Sequence, residues 1–462
     1  MLEFSKKSNT LEQTEYQYSL QDVDEPQLYR LLYSYGDVPK IPFNHRHVPM
    51  RPVDQAWISD TTFRDGQQAR APYTVEQIVQ LFTFMHQLGG PKGIIRQSEF
   101  FLYSDKDRKA VESCMALGFE FPEVTSWIRA NAQDFMLVKE IGIEETGILA
   151  SCSDYHIFKK LKMTRRQAMD QFLGIVKDAL SIGVRPRVHL EDITRADYYG
   201  FVIPLCQELS RLSTESGIPI KVRACDTLGL GVSFPGVALP RSVPGIAYGL
   251  WHYAQFPSDR LEWHGHDDFY KAVVNATTAW LYGIGAVNCT LLGIGERTGN
   301  TPLEAMVFEY AALRGTLDGM EPQVITEIAR YYEQELGYTI PPRTPLVGTD
   351  FNTTRAGIHA DGLLKDEEIY NIFDTEKLLG RPVRVLINQN SGAAGLLHWL
   401  RGHYGLNGEF SLNKRDTRLE PILEWIQEEY DNGRVTAIGD DEIEAALAFK
   451  APELYAELTQ SP

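Results

Sequence analysis

Between residues 56 and 315, short apolar runs alternate with amphipathic stretches, and this restricts the fold more than any other feature of the chain. The runs are Ala56–Ile58, Gly93–Ile95, Phe119–Val124, Gly147–Ala150, Arg187–Leu190, Ile220–Ala224, Leu261–Trp263 and Ala286–Leu292. Helix-like segments lie between them: Val75–Leu88, Lys106–Leu117, Arg129–Glu140, Arg165–Ile182, Tyr198–Thr214, Gly245–Ala254 and Tyr270–Tyr282. Eight strands alternating with helices over ~260 residues is the count and size of a (β/α)8 TIM barrel. An open doubly wound sheet is the other arrangement this pattern allows.

Three segments follow from that reading. Residues 1–55 form an N-terminal arm, polar and then rich in aromatics and proline, which packs on its own barrel or on a partner subunit. Residues 56–320 are the catalytic barrel, and 321–462 a smaller, mostly helical C-terminal domain. There the pattern predicts helices over Gln323–Leu336, Gly392–Leu400, Thr417–Asp431 and Asp440–Ala448, and a strand-like run over Arg381–Gln389. The Gly- and Pro-rich stretch Gly229–Val243 follows the sixth strand, where a loop lies over the barrel mouth as a lid.

The formal net charge of -17 disfavours a general nucleic-acid partner, because no basic excess is available to neutralise phosphates. A small anionic substrate needs only a few local cations. The five cysteines, Cys114, Cys152, Cys206, Cys225 and Cys289, form no C-x-x-C pair, which fits free thiols in a reducing cytoplasm. The N-terminus has no apolar core of a signal peptide, and no run approaches the ~18 residues of a membrane span. The chain is expected to be cytoplasmic.

The first strand runs into Ser59-Asp60-Thr61-Thr62-Phe63-Arg64-Asp65-Gly66-Gln67-Gln68. Arg64 and Asp65 sit where the strand stops, and Gly66 is expected to let the backbone turn. Such a pair suits a metal and an anion together, or it is a surface ion pair beside a turn. After the seventh strand, His264 and His266 occupy positions i and i+2 and share a face. With Asp65 on the same rim they make a facial set of three ligands. The eighth strand leads into a rim loop offering Glu296, Arg297 and Asn300. The fifth places Arg187, His189 and Glu191 on one face, with Glu191 either a general base or the partner of Arg195. Thr227 offers a hydroxyl to a carboxylate, and Ser153, Asp154 and His156 follow the fourth strand. His45-Arg46-His47 lies among prolines without an acidic neighbour, so no metal role is expected for it.

Arg64-Asp65-Gly66-Gln67-Gln68, His264-Gly265-His266-Asp267 and Gly293-Ile294-Gly295-Glu296-Arg297-Thr298-Gly299-Asn300 together resemble the isopropylmalate/homocitrate synthase family of metal-dependent barrel enzymes. Gly357-Ile358-His359-Ala360-Asp361-Gly362 and Tyr370 extend the resemblance into the second domain. It implies a Claisen-type condensation of acetyl-CoA with a 2-keto acid. Asp65, His264 and His266 would bind a divalent metal, with Asn300 close enough to be a ligand. An oxygen and two nitrogens suggest Mn, Co or Mg over closed tetrahedral Zn. Arg64 would stabilise the alkoxide, and Arg64, Gln68, His156 and Thr227 would contact the keto acid. Glu191, His359 and Tyr370 match the family's candidates for proton transfer. The resemblance further implies a homodimer, with swapped C-terminal domains completing the partner's active site.

The lyase branch of the wider group carries a cysteine in the eighth-strand loop, where this chain has Glu296-Arg297-Thr298, which favours a synthase. The fifth strand has no lysine of the kind a carboxyl-transferring relative uses, and the intact set of site residues argues against a non-catalytic relative. No stretch after the tail helices matches the regulatory domain of leucine-inhibited relatives, so feedback through one is not expected. The family's I-E-x-G-F-P is absent from Ile95-Arg96-Gln97-Ser98-Glu99-Phe100-Phe101, so the substrate pocket is reshaped. The arm and the Pro-rich loop resemble the Re-type citrate synthases of anaerobes and the related phosphinomethylmalate synthases. That implies oxaloacetate, acetyl-CoA and water giving citrate and CoA. Homocitrate, isopropylmalate and citramalate synthesis stay open. A second substrate carboxylate would need a further cation, for which Arg187 and Arg96 are the candidates.

Overall fold

The structure is a computed structural model and describes residues 2–5, 10–13, 18–129, 132–406 and 412–460. It divides into two compact units, Met1–Glu321 and Pro322–Pro462. Of the N-terminal stretch read for a leader, residues 1, 6–9 and 14–17 lie outside the described residues, as do residues 130–131 at the expected start of the third helix.

The first unit is a closed barrel of eight parallel strands: β1 (Trp57–Asp60), β2 (Ile95–Phe100), β3 (Glu123–Ile128), β4 (Glu145–Ser151), β5 (Arg185–Glu191), β6 (Lys221–Asp226), β7 (Leu261–Gly265) and β8 (Ala286–Cys289). β8 pairs with both β7 and β1, which closes the ring. A helix follows each strand: α1 (Val75–Gly89), α2 (Asp105–Ala116), α3 (Ala132–Ile141), α4 (Arg165–Ser181), α5 (Ile203–Ser216), α6 (Val243–His252), α7 (Ala272–Leu281) and α8 (Leu303–Arg314). Reciprocal caps set three helix starts, with Thr74, Ser104 and Thr164 accepting from the third helical N–H. The TIM barrel expected from the alternation is therefore present, and the open sheet is not.

Two strands start two or more residues later than the apolar runs suggest. β2 begins where the run Gly93–Ile95 ends, and β3 extends to Ile128. Their polar letters are polar because they face a charged interior. Arg187 and Arg223 are fully buried there. Arg187 Nη1 donates to Glu145 at 2.7 Å and Nη2 to Glu99. Arg223 Nε donates to Glu262 at 2.7 Å, and Lys221 pairs with Glu145 at 2.9 Å. Buried charges of this kind persist only when paired.

The arm packs on the barrel of its own chain. Tyr33, 5% exposed, donates its hydroxyl to Thr194 O at 2.5 Å. The stretch Gly229–Val243 is pinned at both ends instead of hanging free as a lid. Leu230 N and Gly231 N donate to Asp226, and Arg241 donates to Leu230 O and to Lys40 O of the arm.

The second unit is mostly helical. It contains α9 (Gln323–Gln334), α10 (Gly357–Lys365), α11 (Thr375–Leu379), α12 (Gly392–Tyr404), α13 (Glu420–Asp431), α14 (Asp440–Lys450) and α15 (Pro452–Gln460). Leu363, Ile387, Leu396, Leu400, Ile422 and Leu447 belong to its core. The run Arg381–Gln389 supplies only a two-residue strand, Arg384–Val385, paired with Thr353–Thr354. The last helix, α15, was not expected. No helix among the described residues is long and apolar enough to cross a membrane.

Candidate active site

β1 delivers Thr61 to the C-terminal rim, where the chain winds into one wide helical turn, Thr62–Gly66. Thr61 O accepts from Arg64 N, Asp65 N and Gly66 N at 3.1, 2.9 and 3.1 Å. This corrects the expected glycine turn, because Gly66 is not in the left-handed region and the helical turn itself redirects the backbone. The result buries Asp65 and leaves Arg64 beside it, with Nη1 3.4 Å from Asp65 Oδ1. Arg64 Nε donates to Glu99 Oε1 at 2.7 Å. The pair is thus largely buried, not a surface ion pair.

His264 is the penultimate residue of β7 and His266 directly follows the strand; both are buried on one face. Their Nε2 atoms are 3.2 Å apart and lie 3.6 and 3.8 Å from Asp65 Oδ2. Ligand atoms of the three residues lie within 4.8 Å of one another. His264 Nδ1 is 2.8 Å from Asn288 Oδ1, which takes its N–H and leaves the Nε2 lone pair for a metal. Burial holds both imidazoles below their usual value, so they stay neutral. Burial alone would raise Asp65, but the Arg64 guanidinium, the two imidazoles and the Asn300 hydrogen bond hold it below the ordinary carboxylate range.

Asn300 donates Nδ2–H to Asp65 Oδ2 at 2.6 Å, and its Oδ1 is buried without a hydrogen-bond partner. His266 Nδ1 is a second buried polar atom without one. A neutral nitrogen pair, a carboxylate and an orphaned amide oxygen are a donor set that fits a divalent cation. The loop before Asn300 must be glycine-rich for steric reasons, since a Cβ on Gly295 would stand 2.0 Å from Asn300 Oδ1. The other two rim-loop candidates are spent elsewhere. Arg297 pairs with Asp268 at 2.8 Å and donates to Thr227 O, and Glu296 is exposed.

Across the barrel, Glu191 ends β5. Its partner is not Arg195, which bonds Asp192. Instead Glu191 Oε2 lies 2.9 Å from His156 Nδ1, Ser151 donates to it, and Lys160 Nζ is 3.0 Å away. Burial would raise this carboxyl, but the His156 hydrogen bond leads the contacts that bring it down to about 2. At that value Glu191 is a weak base and a strong orienter of His156. Thr227 Oγ1 accepts from Asp192 N at 2.9 Å. Gln68 lies just past the rim turn and is exposed.

Arg187 is not free for a substrate carboxylate, and Arg96 stands near the start of its strand, away from the C-terminal rim. Arg187 is neutralised in the interior by Glu99 and Glu145. Arg96 sits at the register shift near the start of β2, over the rings of Trp57 and Phe121. His359 and Tyr370 belong to the second unit, their ring centroids 4.3 Å apart. His359 Nδ1 is 3.1 Å from Thr354 Oγ1, and the ring borders a cavity of about 430 Å³ with Arg343, Asp350 and Arg355.

A family model described as HMGL-like matches residues 55–331, more than half of the chain. The chain belongs to the HMGL-like family. Beyond that match, this HMGL-like protein is 57% identical to Citrate (Re)-synthase of Clostridium kluyveri over 95% of its own length and 97% of that protein's. It is 54% identical to Citrate (Re)-synthase of Syntrophus aciditrophicus, over 95% of this chain and 70% of that one. It is 36% identical to 2-phosphinomethylmalate synthase of Streptomyces hygroscopicus, over 94% and 99%.

Sequence reasoning about this HMGL-like chain missed Glu99, which grips Arg64, and Asn288, which fixes His264. Both are inward-facing polar letters inside strands. The signal was present in the parity of Gln97 and Glu99 on β2, but an apolar-run reading passes over it.

Proposed function

We propose that this protein joins acetyl-CoA to oxaloacetate, consuming water and releasing citrate and CoA, with a divalent cation at Asp65, His264 and His266. The observation that carries the reading is the convergence of those three ligand atoms within 4.8 Å, beside Arg64, at a barrel rim. The likeness to the two proteins named Citrate (Re)-synthase supports oxaloacetate over other keto acids.

A bound divalent cation supplies Lewis-acid polarisation of the ketone. The chain supplies the rest. Glu99 holds Arg64 by its Nε and Asp65 lies 3.4 Å from Nη1, so Nη2 is the group for the oxygen that becomes negative as the new carbon–carbon bond forms. Thr227 accepts from Asp192 N at 2.9 Å, and its own O–H, held only by a long 3.5 Å contact to Cys225 O, would turn to donate to the keto acid's carboxylate. Gln68, at the exposed edge of the rim turn, contacts the same substrate.

The acetyl methyl group must lose a proton before it attacks the ketone carbon, and water must then cleave the thioester. Glu191 keeps His156 oriented toward the pocket, as the 2.9 Å contact supports. His359 and Tyr370 take part in proton transfer from a second subunit, which makes a homodimer the working form. Among divalent ions, Mn, Co or Mg suit two imidazoles, a carboxylate and open positions better than closed tetrahedral Zn. Five buried, unbridged cysteines support a reducing, cytoplasmic setting.

The test is thiol release from acetyl-CoA with oxaloacetate, 2-oxoglutarate, 2-oxoisovalerate and pyruvate as alternative acceptors. Oxaloacetate is expected to give the highest kcat/KM by far. Equal or better turnover with another acceptor would overturn the citrate reading and select homocitrate, isopropylmalate or citramalate synthesis.

A further inference from the structure

The arm meets the barrel at the loops after β4, β5 and β6, which carry or adjoin His156, Glu191 and Thr227. The contact after β4 is the most specific. Asp154, two residues before His156, receives Arg165 Nε and Nη2 at 2.9 and 2.7 Å. The same carboxylate accepts Gln27 N–H of the arm at 2.7 Å. Tyr155, the next residue, donates its hydroxyl to Leu28 O at 2.7 Å. Consecutive arm residues thus hold the two consecutive residues that lead into His156. Arg165, fully buried, ties the joint back to the arm by donating to Gln21 O at 2.9 Å.

The chain of contacts continues inward. The turn Tyr155–Leu161 presents His156 Nδ1 to Glu191 at 2.9 Å and its Nε2 to Asp192 at 3.7 Å. One loop further on, Tyr33 holds Thr194 O, Thr194 Oγ1 donates to Asp226 at 2.9 Å, and Asp226 caps the turn after Thr227. The candidate metal ligands stand elsewhere, at the ends of β1 and β7. The later arm anchors, Arg51 N to Leu281 O and Val53 N to Trp280 O, are at the C-terminal end of α7.

We propose that the arm, through Gln27 and Leu28, is a positioning element for His156, governing the half of the site that handles carboxylates and protons and not the half that holds the metal. The inference rests on the reading of His156 as a site residue. It predicts that loosening the arm separates turnover from metal binding.

Tyr155→Phe tests this in the full-length protein. It keeps the ring that Arg195 covers at 4.1 Å and removes only the hydroxyl that reaches the arm. Three quantities are read: hydrogen exchange over residues 155–161, kcat for thiol release, and Mn2+ affinity by calorimetry. Exchange in that segment is expected to rise, kcat to fall roughly three- to tenfold, as loss of one hydrogen bond allows, and Mn2+ affinity to stay at the wild-type value. Arg51→Ala, which removes the guanidinium that lies 4.3 Å over the Trp251 ring of α6 and so loosens the arm away from His156, should change none of the three. Unchanged exchange, unchanged kcat, or Mn2+ affinity falling in step with kcat would each overturn the inference. Exchange is read without substrate, so a wild-type protein that makes no citrate would sink the functional reading without altering that result.

Discussion

Asn288 Oδ1 lies 2.8 Å from His264 Nδ1, and through this contact β8 decides which nitrogen of a β7 histidine faces the site. Ser59 and Asn288 are themselves bonded, so β1, β8 and β7 are joined beneath the candidate metal ligands. Asn288→Ala should lower Mn2+ affinity by ~10–100-fold, the usual effect of losing such a supporting bond. Asn288→Asp keeps the acceptor and should retain most of the affinity. Calorimetric titration of both variants checks this, and equal affinities would contradict it.

Glu99 bonds Arg64, Arg187 and Arg223 at once. The three guanidiniums hold its carboxyl well below the usual range against the opposing effect of burial. Glu99→Gln removes the charge that three buried cations share. The expected loss is ~3–5 kcal/mol of stability, the range for breaking a buried pair. Denaturant unfolding of wild type and variant measures it. A change within ~0.5 kcal/mol would mean the interior network is not organised around Glu99.

Glu304 sets a pH dependence of the opposite kind from the paired carboxylates. It is buried, accepts Leu292 N at 3.1 Å, and burial raises its pKa from 4.5 to about 7. The folded protein keeps this proton up to about pH 7, while the unfolded chain releases it near 4.5. The contribution is therefore fully present below 4.5 and is lost as pH rises to 7, on the order of 3 kcal/mol in all. Glu304→Gln should flatten that slope in unfolding measurements between pH 4.5 and 8. Parallel slopes for the two proteins would refute the assignment.

Gly147 on β4 is enclosed by two rings. A Cβ there would stand 2.7 Å from His189 Nε2 and 3.0 Å from Trp127 Cδ1. Gly147→Ala should cost ~1–3 kcal/mol by overpacking, read from the shift in denaturation midpoint at constant slope. A neutral or stabilising outcome would show that the rings give way freely.

The barrel and the convergence of the candidate metal ligands were legible in the sequence for different reasons. Apolar alternation reports burial on the outer face of each strand, so all eight strands could be placed. Asp65, His264 and His266 could be paired across 199 residues of sequence (264 − 65) because each stands at or just beyond a strand end, where a barrel gathers its site. The interior was not legible. An interior of paired charges gives Gln97, Glu99, Arg187 and Arg223 the letters of an exposed strand. Arg187 was read as sharing a strand face with His189 and Glu191, but which carboxylates meet it depends on registers between strands that no local pattern encodes. The role of Gly66 was misread because a helical turn and a glycine turn share the same short polar sequence.

The central claim is that a divalent cation held by Asp65, His264 and His266 is required for making citrate. The direct measurement is citrate and CoA formed from oxaloacetate and acetyl-CoA by chelator-stripped protein, before and after Mn2+ is restored, for wild type and Asp65→Asn. The account predicts no product from either stripped protein, equal amounts of citrate and CoA from wild type once Mn2+ returns, and a loss of at least about a hundredfold in Asp65→Asn. Citrate formation by the stripped protein, or full recovery in Asp65→Asn, would contradict it.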